Sequence, residues 1–454
     1  MRIGVDFGTT HTGAAYLRDD RLTFVPLDPL NRDPQLLRSM LYVTRDHAHF
    51  TGLNAVETYL QQETGRLVHF EDKVVGTIEN TVARIGRGPM DPDGPIQIIY
   101  DVVVTEDVGA HGRLIQSIKT ALRDPSYEGT NIFGRYYTVQ TLISILLEET
   151  RRRAEAHLQQ PIEAVVLGRP VKFADDADVD RQAQNRLEEA ARLAGFRDIE
   201  FAMEPIAAAR FYTRSSPRTQ TVLVFDFGGG TLDLTVMRTA PAQAPEMLAT
   251  HGVLVGGDDI DSAIMRNKVS SFFGTESAIS YEGAPFPYEL SSLLEKWQTI
   301  PLLSRPKNLT VIHNAKMNGD NVQAFERLEK LVLKNYGFLL FTAIEQAKRD
   351  LSADDSALIQ MAREGFELAI PLQRSDVPRI IAREIARVQR GITEVLSMAA
   401  LKNEDIDALV TTGGSSLIPI FQAMLRRRFP DADHVRSDTF GSVTAGLALQ
   451  ASLE

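Results

Sequence analysis

Two segments of this chain carry the same small set of reactive residue types at the same spacing. Residues 3–17 read IGVDFGTTHTGAAYL and residues 222–237 read VLVFDFGGGTLDLTVM. In each, an apolar run ends in Asp-Phe-Gly, a short turn of Gly and Thr follows, and a second alternating run begins. A Gly-Thr turn lets backbone N–H groups converge on one point, because glycine accepts backbone angles and close approaches that other residues resist. That is what a phosphate needs, and threonine adds a hydroxyl donor. The aspartates Asp6 and Asp226 supply a carboxylate where a hydrated magnesium ion can bridge to phosphate. One such hairpin is only a turn; two matched copies point to phosphate. A third segment, Asp407 to Ser415, reads as a strand, a Gly-Gly turn and a helix start. Its glycines suit a flat ring or ribose lying against the backbone, and equally a tight strand-to-helix connection.

The elements that position these turns can be read from periodicity. Each segment reads as a β-hairpin. Asp6 and Asp226 lie 220 positions apart, too far for a solenoid repeat and suited to two similar α/β lobes. Helical spacing predicts helices over 139–158, 177–195, most of 322–351, 378–400 and 418–428, with strands at 162–168 and 406–412. Strand and helix in alternation imply mixed or mostly parallel sheets. The stretches 86–113 and 280–320, rich in Gly, Pro and Asn, read as loops of inserted subdomains.

Composition narrows the function classes. The 454 residues are 43% apolar and 24% charged, with a net charge of −11. An acidic surface argues against nucleic-acid partners. No cysteine is present, which removes disulfides, thiolate catalysis and zinc–thiolate sites. No run is long and apolar enough for a membrane span, and no secretory leader precedes the first strand, so a cytoplasmic protein is expected. GxxxxGK, HExxH and GxSxG motifs are absent. Asp258, Asp259 and Asp261 lack the spacing of a calcium loop.

Five motifs stand in the order of one known group: DFGTT (6–10), EPIAAA (204–209), DFGGGTLD (226–233), EQAKRDLS (345–352) and TTGGSSLIP (411–419). GGDDID (256–261) and FGSVTAGLALQA (440–451) have counterparts there too. With these the chain resembles the actin-like ATPase superfamily, and within it the nucleotide-binding domain of DnaK-type heat-shock chaperones. VLGRP, AGFRD and FGSVTAGLA resemble the short YegD-type members, which lack the substrate-binding domain. The resemblance implies a two-lobed α/β fold with mixed sheets and a nucleotide cleft. Lobe I is expected over 1–203, with an inserted subdomain at about 40–135 and completed by 437–454. Lobe II is expected over 204–436, with an insertion at about 257–378. Because the chain ends at Glu454 with no linker or β-sandwich after it, peptide holding by the usual mechanism is not expected.

The resemblance also implies roles. Asp6 and Asp226 would organise Mg²⁺ through water. Gly8, Thr9 and Thr10 with Gly228, Gly229, Gly230 and Thr231 would hold the phosphates of ATP or ADP. Glu204 and Asp233 would sit near the attacking water. Glu345, Lys348 and Ser352, on one helical face by spacing, would contact adenine and ribose. Gly413, Gly414 and Ser415 would line the other side of the nucleoside. The chain departs from the group at the lysine expected near the γ-phosphate, where Gly52-Leu53-Asn54-Ala55-Val56 offers Val56, and at the arginine over adenine, where Leu417 stands. Arg169 or Lys172, flanking Pro170, would be substitute cations, or else ordinary surface charges. The expected function is a slowly hydrolysing, chaperone-like ATPase that couples nucleotide state to lobe closure and to a protein partner or client. A nucleotide-binding scaffold with little hydrolysis is the alternative. A filament-forming relative and a sugar or acetate kinase are further ones.

Overall fold

The computed structural model describes residues 1–82, 96–174, 176–215, 218–241, 243–436 and 441–453. The opening strands are β1 (Arg2–Phe7), β2 (His11–Arg18), β3 (Arg21–Phe24), β4 (Leu36–Arg38), β5 (Met40–Thr44) and β6 (His49–Thr51). Helix α1 (Gly52–Glu63), β7 (Phe70–Val82), β8 (Ile96–Asp107) and β9 (Gly112–Gln116) follow. After a 3₁₀ segment, Ile118–Arg123, come β10 (Gly129–Ile132), β11 (Arg135–Thr138) and α2 (Val139–Leu158). Next are β12 (Ala164–Arg169), α3 (Ala177–Leu193), β13 (Asp198–Met203) and α4 (Glu204–Ser215). The second half opens with β14 (Gln220–Phe227), β15 (Leu232–Thr239), β16 (Glu246–Val253) and α5 (Gly257–Ile264). Helices α6 (Tyr288–Leu293), α7 (Pro306–Asn318), α8 (Val322–Leu333) and α9 (Gly337–Asp350) precede the hairpin β17 (Ser356–Arg363) and β18 (Phe366–Gln373). The chain closes with α10 (Val377–Ile380), α11 (Ala382–Met398), β19 (Ala408–Thr412), α12 (Pro419–Arg428), β20 (Asp433–Arg436) and α13 (Gly441–Ala451).

The two halves share one sheet plan. The first sheet runs β13-β12-β1-β2-β3, with β4 also on β2, and the second runs β20-β19-β14-β15-β16. In both, the central strand pairs in parallel with a later strand (β1 with β12, β14 with β19) and antiparallel with its own hairpin partner (β2, β15). The internal echo in sequence is therefore a repeat of topology. This is the mixed α/β, two-lobed architecture of the actin-like ATPases.

Burial follows the alternation in these strands. Ile3, Val5 and Phe7 of β1 and Val165 and Leu167 of β12 point to a core closed by α2 and α3, whose buried faces include Leu142, Leu146 and Leu187. A second core joins Val166 to Val222, Val224, Ala408 and Val410 through α4 and α13. Helix α13 lies so close that a Cβ on Gly4 would fall 2.3 Å from the Ala448 nitrogen, and one on Gly446 would fall 1.9 Å from the Ala207 carbonyl. Glycine at these positions lets α13 pack directly against β1 and against α4.

Two compact units are present: residues 1–63, 111–270 and 339–454, and residues 64–110 with 271–338. The first contains both sheets. In the second, β7 pairs antiparallel with β8, and Trp297 packs edge-on against Phe338 with ring centroids 4.9 Å apart.

Most helices fall where periodicity predicts them, with α2 covering 139–158 and the stop at Gly195 adopting a φ of +96°. The expected helix at 322–351 is two, α8 and α9, broken at Asn335 with a φ of +51°. The loop readings of 86–113 and 280–320 need correction. Ile96–Asp107 is a strand, because its Ile-Ile-Tyr-Asp-Val-Val-Val core is β-branched. Pro306 starts helix α7 at a position where proline costs no hydrogen bond. Residues 86–95 of the first loop reading and 437–440 of the last lobe-I segment lie outside the described residues.

Candidate functional site

The two hairpin turns are built alike. The Gly8 N–H donates to the His11 carbonyl at 3.0 Å, and the Gly228 N–H donates to the Thr231 carbonyl at 2.9 Å. Each is braced by its neighbours. Around the first turn, the Ser39 hydroxyl donates to the Gly8 carbonyl at 2.8 Å and the Ser39 N–H to the Thr10 carbonyl at 2.9 Å. Around the second, the Gly257 and Asp258 N–H groups at the start of α5 donate to the Gly228 and Gly229 carbonyls at 3.1 and 2.9 Å. The Ser415 hydroxyl donates to the Gly228 carbonyl at 2.8 Å. The turns meet: a Cβ on Gly229 would lie 2.1 Å from the Thr10 methyl.

Between them is a cleft open to solvent on one side. Its walls include Asp6, Gly8, Thr9, Thr10, Gly228, Gly229, Gly230, Thr231, Glu204, Asp226, Asp233, Gly413 and Gly414. The sequence reading named all of these. Gly413 needs to be glycine, since its φ is +79° and a Cβ would fall 2.4 Å from the Phe227 carbonyl.

Strand ends deliver the carboxylates. Asp6 and Asp226 sit near the ends of the two central strands, and Asp233 pairs with Asp226 across the second hairpin. Glu204 opens α4, where the positive helix end favours it. Crowding these acids together in a protein-enclosed cleft has a cost. Burial, then Glu204, pushes the Asp6 carboxyl up to about 7, with Lys119 pulling the other way. Burial with Asp233, Glu204 and Asp6 raises Asp226 well above the usual carboxylate range, and burial with Glu204 raises Asp233. The cleft floor holds more negative charge than its own cations offset. Its all-oxygen donor set fits a hard divalent cation. No three His, Asp or Glu side chains converge as direct metal ligands among the described residues. The fit is to an ion that keeps much of its water.

A lysine that the sequence reading passed over, Lys119, also stands in the cleft wall. It lines the cleft from the 3₁₀ segment, is 8% exposed, and donates from Nζ to Glu204 Oε1 at 2.8 Å. Burial opposes its charge, but Glu204 and Asp6 outweigh burial and hold the ammonium above the usual lysine value. Arg123 lines the same cleft. A signal was present: Ile118 and Leu122, four apart and buried, anchor the segment, and each is followed by a cation.

The substitute cations read from sequence lie elsewhere. Arg169 pairs with Asp180 at 2.9 Å, also donates to Gln184, and stacks over Phe173. Lys172 is exposed, and Val56 is buried on α1 away from the cleft walls.

The expected nucleoside contacts divide. Gly413 and Gly414 line the cleft, whereas Ser415 braces the second turn and is not among the lining residues. Lys348 Nζ donates to Asp261 at 2.7 Å and to the Gly257 carbonyl at 3.2 Å. Glu345 pairs with Arg349 and, at 3.6 Å, with Arg38 of β4. Burial would raise the Glu345 carboxyl, but Arg38, Arg349 and Lys348 prevail and hold it below its usual value. Ser352 is exposed just beyond the end of α9. None of these three lines the cleft. His11, also missed, does line it; its Nδ1 lies 3.2 Å from Thr10 Oγ1, and burial with Arg38 pushes it down to about 3.

Comparison with known proteins agrees with this geometry. A family model described as "Hsp70 protein" matches residues 114–289 and 333–454. The chain is similar to the protein named "Chaperone protein DnaK" of Elusimicrobium minutum (strain Pei191), 25% identical over 460 residues. That alignment covers 99% of this chain and 57% of the relative, so the chain spans little more than half the relative's length. Two turns of one design, opposed across an acidic cleft within a repeated sheet plan, and a family match over most of the sequence lead to one conclusion: the chain belongs to the Hsp70 family.

Proposed function

We propose that this protein binds ATP with Mg²⁺ in the cleft between its two Gly-Thr turns and hydrolyses it slowly. The observation that carries this reading is the pair of identically hydrogen-bonded turns facing each other over the carboxylate cluster. The Gly8 and Gly228 N–H groups close the turns, and the backbone N–H groups of Thr9, Thr10, Gly229, Gly230 and Thr231 take the phosphates. Asp6 and Asp226 hold the ion through its water, and the ion supplies charge neutralisation on the phosphates when bound. Glu204 and Asp233 receive and orient the attacking water. Catalysis here is mostly positioning and electrostatics.

Residues 1–203 with 437–454, and 204–436, are the lobes we propose to close on the triphosphate and relax after cleavage. The output is a change of shape read by a protein partner or client, in a cytoplasmic setting where ATP is supplied. A relative's name, Chaperone protein DnaK, supports the chaperone class. No helix among the described residues is long and apolar enough to cross a membrane. Glu345 and Lys348 reach adenine and ribose when ligand binding redraws their ion pairs, and Ser352, exposed beyond α9, joins them in that proposed role.

A specific observation favours a second reading, a scaffold that binds nucleotide with little turnover. Val56 stands where the resemblance implies a lysine, and Lys119 is tied to Glu204. A single-turnover assay with enzyme in excess, following bound nucleotide and released phosphate, separates the two. The first reading predicts ATP bound and converted to ADP. ATP bound but unchanged selects the scaffold.

A further inference from the structure

We propose that Lys119 is the γ-phosphate cation of this site and that it couples the phosphate to Glu204. The inference deepens the nucleotide reading above and rests on it. Helix α1, which holds Val56, carries no lysine. The structure brings a lysine to the cleft from a different element.

Three observations support it. The 3₁₀ segment is anchored by Ile118 and Leu122, 6% and 1% exposed, so Lys119 has a fixed base. The segment lies over the second turn: a Cβ on Gly230 would be 3.9 Å from the Thr120 methyl. The residue that turns the chain into it, Ser117, has a left-handed φ of +58°, and its buried hydroxyl has no hydrogen-bond partner. Both features cost stability. Backbone strain of this kind persists where the surroundings enforce a placement. What it places is Lys119.

The chemistry follows from the ammonium's donors. Lysine has three N–H groups, and Glu204 takes one. A γ-phosphate held by the turns would take another, so one ammonium touches both the phosphate and the acid that receives the water's proton. As the water oxygen bonds to the γ-phosphorus, the bond to the β-phosphate oxygen breaks and its electron pair leaves with ADP. Negative charge grows on the γ-oxygens and draws Lys119 toward them. Glu204, losing part of its partner, becomes a better base at that moment. One proton of the water stays on the phosphate; the other passes to Glu204 and then to solvent. Before a triphosphate arrives, the same ion pair keeps Glu204 occupied.

The test compares fluorescent ATP and ADP analogues, with Mg²⁺, on the full chain, together with single-turnover hydrolysis. Lys119→Met should weaken ATP about tenfold or more and leave ADP within about twofold, because only ATP carries the γ-phosphate. Hydrolysis should fall about a hundredfold or more. Lys119→Arg should recover much of the ATP preference. Since Lys119→Met strands a carboxylate in an enclosed site, Lys119→Met/Glu204→Gln, which removes both charges, serves as the folded control. It should bind ADP normally and still lack the ATP preference. An unchanged ATP-to-ADP ratio in both Met variants, or unchanged turnover in Lys119→Met, overturns the proposal and leaves the nucleotide reading standing. If the unaltered chain binds neither nucleotide, the nucleotide reading itself has failed, and this inference with it.

Discussion

The Lys119 ammonium stands 2.8 Å from the Glu204 carboxylate, at the wall of a cleft that also holds Asp6, Asp226 and Asp233. It is a salt bridge within a charge imbalance. One lysine contacts one of four acids, and the others show the deficit as raised proton affinity. A site left this acidic in the bare protein is prepared for added positive charge.

The contact between the turns predicts a coupled pair of substitutions. Gly229→Ala sets a methyl 2.1 Å from the Thr10 methyl, so the turns must part. Mg-ATP affinity should drop about tenfold, and thermal stability should fall by about 1–3 kcal/mol. Thr10→Ser/Gly229→Ala, which deletes the opposing methyl and keeps the hydroxyl, should recover most of the loss. A double variant no better than Gly229→Ala would show that the turns do not touch.

His11 predicts a pH effect. Its pKa is pushed down to about 3 by burial and by Arg38, with Glu345 opposing and Arg349 adding to the shift. The unfolded chain takes this proton near its ordinary 6.5, so below that pH the unfolded state binds more protons. The native state therefore loses stability as pH falls from 6.5 toward 3. His11→Gln removes this contribution. Relative to the variant, the parent should lose about 1–2 kcal/mol between pH 7 and pH 5 in denaturant titrations. Parallel pH profiles would show that His11 titrates normally.

Lys348 predicts a structural cost. Its partner Asp261 is 7% exposed and, by burial first and despite Lys348, already has its carboxyl pushed up to about 6. Lys348→Met leaves that acid without its cation and should destabilise the protein by about 2–4 kcal/mol at pH 8. The loss should shrink toward pH 5 as Asp261 takes a proton. Lys348→Met/Asp261→Asn should regain a large part of it at pH 8. Equal melting of the single variant and the parent would mean that the bridge contributes nothing.

The site was legible in sequence where its parts are local. Asp6 with Gly8–Thr10, and Asp226 with Gly228–Thr231, each lie on one strand–turn–strand, so residue type and offset suffice to pair them. Lys119 was legible only as a cation on an anchored segment; its pairing with Glu204 was not, because it forms through folding across 85 positions of chain. The substitute cations were sought beside Pro170, which does line the cleft, but the arginine next to it is held by Asp180 on α3. Glu345 and Lys348 were correctly put on one helix; what spacing could not show is that Arg38 and Asp261 compete for them. In the fold, Val102–Val104 and their neighbours read as loop because flanking Gly and Pro outweighed a β-branched run, and pairing with β7 decided otherwise.

The most direct measurement of the central claim is calorimetric titration of ATP into the unliganded chain, with and without Mg²⁺, for the parent and for Asp226→Asn. The account predicts one ATP per chain, binding at least about tenfold tighter with Mg²⁺, and most of that Mg²⁺ advantage lost in Asp226→Asn. The same variant should melt higher than the parent without ligand, since it removes a charge that burial and its acidic neighbours disfavour. ATP binding that ignores both Mg²⁺ and Asp226, or no binding by the parent, would contradict the account.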